Sequence, residues 1–418
     1  MLIFTERMVL PPVVKSNSTP APTPQKWRVY LRNTVYIITA LLIFLFSLDL
    51  MIAALQHAGK SITDVIILAT SNPFTGLFIG LLFTAIIQSS SVTTSMVVAL
   101  VATGSISLQG AVPIIMGANV GTTITSTIVS LSFITKKKEF SRAVAAGTYH
   151  DFFNILTVVI LFPLEYYFGF LSGLSQTIAN LFFMQPIVNT SSQISWFAIL
   201  FDPTIQWLVK NMSNSFWTVL MAIFLLFGSI VFFRKIITNI LGLTSPGRFQ
   251  RFFFKSTIKS FGWGLLTTAA IRSSTVTTSL VVPLVAKKVV KLKAAAPFIL
   301  GANIGTTITA FIASSFNSNA AISIALAHFL FNLIGVVIFL PTPYIKEIPI
   351  RLANKLGKLT IRYRLAVFSY VLMTFFVIPF TLIFLSRNLE KFQADSHEKT
   401  RAGNIKAIHF RVEHPPKK

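Results

Sequence analysis

Residues 80–131 read GLLFTAIIQSSSVTTSMVVALVATGSISLQGAVPIIMGANVGTTITSTIVSL, and residues 264–315 read GLLTTAAIRSSTVTTSLVVPLVAKKVVKLKAAAPFILGANIGTTITAFIASS. The two stretches align without a gap, and roughly 30 of about 52 positions are identical, which makes them copies of one unit. Each sets a dense hydroxyl cluster, then a Gly-Ala-Asn-x-Gly-Thr-Thr segment, inside otherwise apolar sequence. At bilayer depth, polar non-helical backbone is tolerated only where it is buried in protein or lines a cavity. Interrupted apolar segments at matching places in two halves point to a transporter's binding site.

The rest of the chain supports a membrane setting. Its 418 residues are 53% hydrophobic and only 11% charged, with a mean hydropathy of +0.72. Several stretches approach the ~20 apolar residues that span a bilayer. The chain is therefore read as a polytopic membrane protein whose solvent is the lipid bilayer. A net charge of +24 raises the possibility of nucleic acid. The cations, however, sit in tails and short connections between apolar runs, as cytoplasmic loops do, so no nucleic-acid partner is expected. With no cysteine there is no disulfide, thiolate metal site or cysteine chemistry. Residues 1–26 are broken by Glu6, Arg7 and prolines and read as a disordered tail rather than a signal peptide.

Apolar runs predict spans over 27–55, 108–134, 143–163, 216–233, 294–315, 320–341 and 365–385. Residues 74–103 are long enough for two short helices with the hydroxyl cluster at the middle, and these and the matching 264–286 are read as re-entrant hairpins with the clusters at their tips. Lys26, Arg28 and Arg32 favour a cytoplasmic N-terminus, and Lys136, Lys137, Lys138 and Arg142 a cytoplasmic connection. The charge pattern then gives the two copies opposite orientations. The expected fold is an all-α polytopic membrane protein with two inverted repeats, each holding a re-entrant hairpin and a broken transmembrane helix. The repeats cover 27–163 and 215–341. Residues 164–214 form an external loop carrying two glycosylation patterns, Asn189-Thr190-Ser191 and Asn211-Met212-Ser213. Residues 342–386 supply an amphipathic connector and a last span, and 387–418 a polar basic tail. Seven crossings would leave that tail outside, whereas its cations favour the inside. The oligomeric state is not legible.

The motifs carry specific chemistry. Ser89, Ser90, Ser91, Thr93, Thr94 and Ser95, with Ser273, Ser274, Thr275, Thr277, Thr278 and Ser279, form the hydroxyl clusters. A hydroxyl both donates and accepts, so it serves an oxyanion and Na+ alike. At a hairpin tip the next helix adds its free N–H groups and positive dipole end. Small-residue helix packing is the alternative for one cluster alone; duplication at equivalent places favours binding. Paired glycines predict unwinding at 117–123 and 301–307, freeing carbonyls that, with Asn119, Thr122, Thr123, Asn303, Thr306 and Thr307, coordinate a hard cation. A tight crossing, where the glycines let helices touch, is the alternative. His150 and Asn154 match His328 and Asn332, each pair on one helix face; they support the site or act as polar glue. Asp151, whose counterpart is Phe329, binds a cation or pairs with Arg272. Arg272 stands where the first copy has Gln88, and either grips phosphate in a bidentate way or pairs with Asp49 or Asp151.

At these residues the chain resembles the type II sodium-dependent phosphate cotransporter family. The resemblance rests on QSSS at Gln88–Ser91, the two GAN-x-GTT segments, HDFFN at His150–Asn154, SLDL near Asp49, SNPFTGL from Ser71 and IPIRLANKLGK from Ile348, over roughly residues 27–385. It implies a secondary transporter, not an enzyme, that imports inorganic phosphate by Na+-coupled alternating access through the plasma membrane. Na+ is then the coupling ion and no cofactor is needed. By the resemblance, phosphate falls to the tip residues Ser89, Ser90, Ser91, Ser273 and Ser274, with Thr275 in place of the last serine and the two tips meeting near the midplane; the reading of the residues adds Gln88 and Arg272. The oxygen chemistry of the residues themselves assigns Na+ to Thr93, Asn119, Thr122, Thr123, Asp151, Thr277, Asn303, Thr306 and Thr307, supported by His150, Asn154, His328 and Asn332. Electrogenic members carry an acid after the first motif's His, which makes Asp151 a charge-moving residue. The chain departs from the family in reading RSST for the second QSSS and in lacking the cysteines of the animal members' external loop. It is also expected to lack their final span and the soluble domain of some bacterial relatives. Three alternatives stand beside this: an H+-coupled or other-oxyanion transporter using Asp151, His150 and Arg272; a non-transporting phosphate-sensing receptor; and a serine hydrolase, for which the sequence places no base beside a serine.

Overall fold

In lipid every backbone N–H must find its acceptor within its own segment or a closed barrel, so long apolar runs become helices. The computed structural model describes residues 26–57, 72–183, 196–212, 215–241, 253–314, 319–386 and 388, and among these the regular elements are all helical. Seven are long and apolar enough to cross a membrane: Leu31–His57, Leu108–Phe133, Lys137–Phe168, Ser215–Phe232, Leu292–Ser314, Asn319–Phe339 and Ala366–Ser386. Each coincides with a predicted span. Three shorter apolar helices, Pro73–Ile87, Ser90–Ala102 and Ser274–Ala286, lie where the hairpins were expected. The terminal tails, the 58–71 connection and the Asn189 glycosylation pattern fall outside the described residues.

The elements are α1 (Lys26–His57), α2 (Pro73–Ile87), α3 (Ser90–Ala102), α4 (Leu108–Gly121), α5 (Ile124–Ser130), α6 (Lys137–Phe168), α7 (Phe170–Phe183), α8 (Trp196–Asn211) and α9 (Ser215–Leu241). The second half continues with α10 (Thr257–Ile271), α11 (Ser274–Ser279), α12 (Val281–Ala286), α13 (Leu292–Gly305), α14 (Thr307–Ser314), α15 (Asn319–Phe339), α16 (Pro343–Arg362) and α17 (Ala366–Leu372). Beyond α17 the last span runs through a π-turn at Met373–Val377. Local chemistry explains the starts. In SNPFTGL, the Asn72 side chain accepts from Phe74 N (2.8 Å) and Thr75 N (3.2 Å), and Pro73 fills the first turn, where a missing N–H costs nothing. In the second half Ser256 caps α10 by accepting from Lys259 N (3.3 Å).

Two expectations are corrected. The glycines of the GAN segments do not unwind; α4 and α13 stay helical through Gly121 and Gly305, and the interruption is confined to Thr122–Thr123 in one copy and Thr306 in the other. The reason is close packing. A Cβ on Gly117 would overlap the carbonyl oxygen of Leu77, and one on Gly301 that of Phe261. Gly80 and Gly264 meet α4 and α13 in the same way, at the carbonyls of Ile114 and Phe298. The glycines thus let α2 press on α4, and α10 on α13, backbone to backbone. The second correction concerns 164–214, which is not all loop. It holds the end of α6 together with α7 and α8, and the buried Glu165 Oε2 accepts from Leu171 N (2.7 Å) and Ser172 N (3.1 Å) to start α7. The connector α16 is amphipathic as expected: Ile350, Ala353, Gly357 and Thr360 are buried, with Gly357 beneath the Ser141 carbonyl of α6.

Candidate anion and cation site

Both hydroxyl clusters are built alike. α2 ends at Gln88 (φ 58°) and α10 at Arg272 (φ 59°), each in the left-handed region with its N–H donating to Thr84 O (2.7 Å) or Thr268 O (2.6 Å). A long L side chain there costs about 1 kcal/mol, so each turn is held by its surroundings. The next residue is extended and caps the following helix: Ser89 Oγ accepts from Val92 N (3.5 Å), Ser273 Oγ from Val276 N (3.4 Å). The two clusters meet. Ser91 Oγ donates to Arg272 O across the halves (3.3 Å), Thr122 Oγ1 lies 3.2 Å from Thr275 Oγ1, and Ser126 Oγ lies 3.0 Å from Thr278 Oγ1.

This sorts the hydroxyls by duty. Ser89 and Ser273 are occupied as caps, and Ser91 and Thr275 join the halves. Ser90 and Ser274 sit between them at the first helical position, buried at 4% and 2% exposure, and make no side-chain hydrogen bond among the described residues. Thr93 and Thr277 donate back to Ser89 O (3.3 Å) and Ser273 O (3.1 Å). The hydroxyls of Thr94, Ser95 and Ser279 are buried without a partner among the described residues. Unmade hydrogen bonds are expensive inside a protein and concentrate where a ligand or ordered water completes them. Arg272 is buried as well, its guanidinium carbon 4.8 Å from the centre of the Phe44 ring in α1, the helix that carries Asp49.

The hydrogen bonds of the His and Asn pairs go to one another and to Asn119 and Asn303, not to the hydroxyl clusters. They form a buried network that crosses between copies. His150 Nε2 lies 3.0 Å from Asn303 Oδ1, and His328 Nε2 lies 3.2 Å from Asn119 Oδ1. An amide oxygen only accepts, so each Nε2 carries the proton. Asn154 Nδ2 donates to Asn119 O (2.6 Å) and Asn332 Nδ2 to Asn303 O (3.3 Å). Asn303 Nδ2 uses both protons, on Asn154 Oδ1 (2.9 Å) and Asn332 Oδ1 (2.8 Å), whereas Asn119 Nδ2 donates to Ile115 O (2.9 Å). The asparagines expected to hold a cation are thereby tied to the opposite copy's histidines. Of the threonines beside them, Thr123 donates to Val120 O of α4, and Thr306 and Thr307 donate to Ala302 O and Ile304 O of α13.

Asp151 is fully buried on α6, and its partners are hydroxyls rather than a guanidinium. Oδ2 accepts from Thr127 Oγ1 (3.0 Å), just past the interruption at Thr122–Thr123, and from Tyr370 Oη (3.1 Å) of the last span. Oδ1 has no hydrogen-bond partner among the described residues. A buried carboxylate oxygen with free lone pairs beside threonine oxygens is a donor set suited to a hard cation.

Residues 43–186 and 223–361 match the family described as Na+/Pi-cotransporter. The chain belongs to this family. The matched regions of this Na+/Pi-cotransporter member take in both tips, both Asn/Thr segments, both His/Asn pairs and Asp151. Among similar proteins is the human sodium-dependent phosphate transport protein 2B, 31% identical over 82% of this chain and 64% of its own length. The rat 2A protein is 30% identical over 82% of this chain and 66% of its own length. The rabbit 2A protein is 30% identical over 86% and 69%. The chain thus spans about 64% of the length of the 2B relatives. No solved structure matches it.

Sequence reasoning missed Thr127, Ser126 and Tyr370. Thr127 follows Thr123 by one helical turn, so a search for hydroxyls on that face would have found it. Tyr370 lies outside the repeat and outside the family match, and no local pattern announces it.

Proposed function

We propose that the protein imports inorganic phosphate by Na+-coupled symport, working by alternating access in the plasma membrane with its N-terminus cytoplasmic. In this reading the two copies are inverted repeats, and the helix pairs that meet at Gln88 and Arg272 are re-entrant hairpins whose tips share one site. The observation that carries it is the convergence of the clusters, which brings the two spare buried serines, Ser90 and Ser274, to a seam bridged from Ser91 to Arg272 O. The hydroxyls, the N-terminus of α3 and the guanidinium of Arg272 supply donors and positive potential for an oxyanion. Asp151 Oδ1 supplies the anionic ligand for Na+. Family membership and the sodium-dependent phosphate transport named for the relatives support this choice of substrates. The test is Ser90→Ala and Ser274→Ala, made separately. Each removes one donor to a charged ligand, worth roughly 1.5–3 kcal/mol, and is expected to raise the phosphate half-saturation by about tenfold or more without loss of protein in the membrane. Unchanged half-saturation in both variants would refute the shared site.

Arg272 adds a charge that Gln88 lacks. Phosphate brings negative charge to a site of low dielectric, where uncompensated charge is costly, and a fixed guanidinium offsets part of it in place of a bound cation. Arg272→Gln is therefore expected to bind phosphate more weakly at low Na+, to recover as Na+ rises, and to have a steeper Na+ activation curve. A folded variant with the wild-type slope assigns Arg272 to phosphate contact alone.

A further inference from the structure

The copies diverge most at the connection between the helix pair and the following span. Thr103–Gln109 reads TGSISLQ, and Lys287–Lys293 reads KKVVKLK. The backbone takes the same course in both. Gly104 turns the first at φ 71°, and Lys288 turns the second at φ 60°. Ser107 caps α4 by accepting from Gly110 N (3.1 Å), while Lys291 gives α13 no side-chain cap. A lysine in the left-handed region costs about 1 kcal/mol relative to glycine, and a lost serine cap costs roughly another 1 kcal/mol. The lysines therefore replace residues better suited to the local structure.

Of these lysines, the exposed Lys288 and Lys291 line an open cavity of about 800 Å³. Lys255, Lys288 and Lys291 provide its charge, and Phe254, Val289, Val290 and Ala294 an apolar wall. Lys293 is engaged elsewhere, in an ion pair with Glu347 of α16. Among the described residues no carboxylate lies within ion-pair distance of Lys255, Lys288 or Lys291. The cavity sits at one end of the bundle, where Arg142 Nε donates to Ala286 O (2.7 Å) and α16 exposes Arg351, Lys355 and Lys358. Segregating cations to one side sets the orientation of a membrane protein. That rule requires neither a left-handed lysine, nor a forfeited cap, nor three ammonium groups on one cavity. Basic pockets beside the ends of spans suit anionic lipid headgroups, and a lysine ammonium is a compact charge with three donors for phosphate oxygens.

We propose that this cavity is a second anion site, apart from the hydroxyl tips, that takes a phosphate group, supplied by an anionic lipid headgroup or by free inorganic phosphate. The site does not depend on what the tips transport.

The test uses the purified full-length protein in phosphatidylcholine vesicles containing a diazirine-tagged phosphatidylinositol 4-phosphate, with cross-links mapped by mass spectrometry. Cross-links are expected on the segments carrying Phe254–Lys255 and Lys288–Ala294. Lys255→Gln/Lys288→Gly/Lys291→Ser is expected to lower their yield at least about tenfold, given roughly 1 kcal/mol for each basic residue near the membrane surface. Lys136→Gln/Lys137→Gln/Lys138→Gln removes equal charge outside the cavity and should leave the yield unchanged. Lys288→Gly alone restores the first copy's turn residue, so it is expected to fold at least as well as wild type while losing several-fold in yield. Excess inorganic phosphate, without Na+, identifies the source: competition supports free phosphate as a ligand of the site, and its absence supports the lipid headgroup. Equal losses in the two triple variants would reduce the lysines to diffuse surface charge. An unchanged yield in the cavity triple and in Lys288→Gly would leave no site.

Discussion

Gly117→Ala is expected to leave no folded protein, and Gly301→Ala the same, because the added methyl has nowhere to go. At each position it overlaps a backbone carbonyl of the facing helix, Leu77 O or Phe261 O, rather than the end of a flexible side chain. Relief would require separating α2 from α4, or α10 from α13, along their whole contact. Overpacking ordinarily costs about 1–3 kcal/mol where side chains can yield; here the backbone would have to, and the expected cost exceeds that range. Gly262→Ala is the control, since nothing lies within 4 Å of its added Cβ. Size-exclusion profiles in mild detergent distinguish the outcomes. The Gly117 and Gly301 variants should lose the monodisperse peak while Gly262→Ala keeps it. A wild-type profile and melting temperature for Gly117→Ala would mean that α2 and α4 are not in backbone contact.

Asp151→Asn is expected to raise the Na+ half-activation by about tenfold or more and to lower the charge moved per phosphate. The substitution keeps the shape but removes the charge from Oδ1, the oxygen left free when Thr127 and Tyr370 occupy Oδ2. Interactions with a charged group are worth roughly 1.5–3 kcal/mol, which sets that scale. Tyr370→Phe removes only one of the two donors that hold Oδ2 and should raise the Na+ half-activation a few-fold. That effect should vanish when Asp151 is already Asn, because Tyr370 then has no carboxylate to position. Voltage-clamped currents paired with phosphate uptake read both quantities. An unchanged charge per phosphate in Asp151→Asn would make the carboxylate structural. A Tyr370→Phe effect that persists in the Asp151→Asn background would trace to packing of the last span.

Much of this was legible in the sequence because the fold repeats itself. One copy of QSSS or GAN-x-GTT is ambiguous between packing and binding; the second, at a fixed offset, ties both to one architecture. All seven spans followed from apolar runs and flanking lysines and arginines. Glycines were harder to interpret. Gly117 and Gly121 are compatible both with unwinding and with close approach, and only the position of Leu77 and Leu81 on the facing helix decides for approach. The His/Asn pairs were recognised as a unit, but their partners were not. His150 reaches Asn303 and His328 reaches Asn119, contacts between copies that spacing along one helix cannot reveal. Tyr370 was invisible for a related reason, since a lone tyrosine in an apolar span carries no pattern and gains meaning only from the carboxylate it meets. Residues 164–214 misled because their poverty in lysine and arginine reports sidedness, not secondary structure.

Na+ and phosphate are proposed to move together through a site both copies build. Uptake of radiolabelled inorganic phosphate into proteoliposomes tests it most directly, with an inward Na+ gradient compared with equal choline and with an inward H+ gradient. Concentrative uptake is expected that requires Na+, collapses when the Na+ gradient is dissipated, and is weakened in both Ser90→Ala and Ser274→Ala. Phosphate accumulation at the same rate in choline, or driven by the H+ gradient alone, would contradict it.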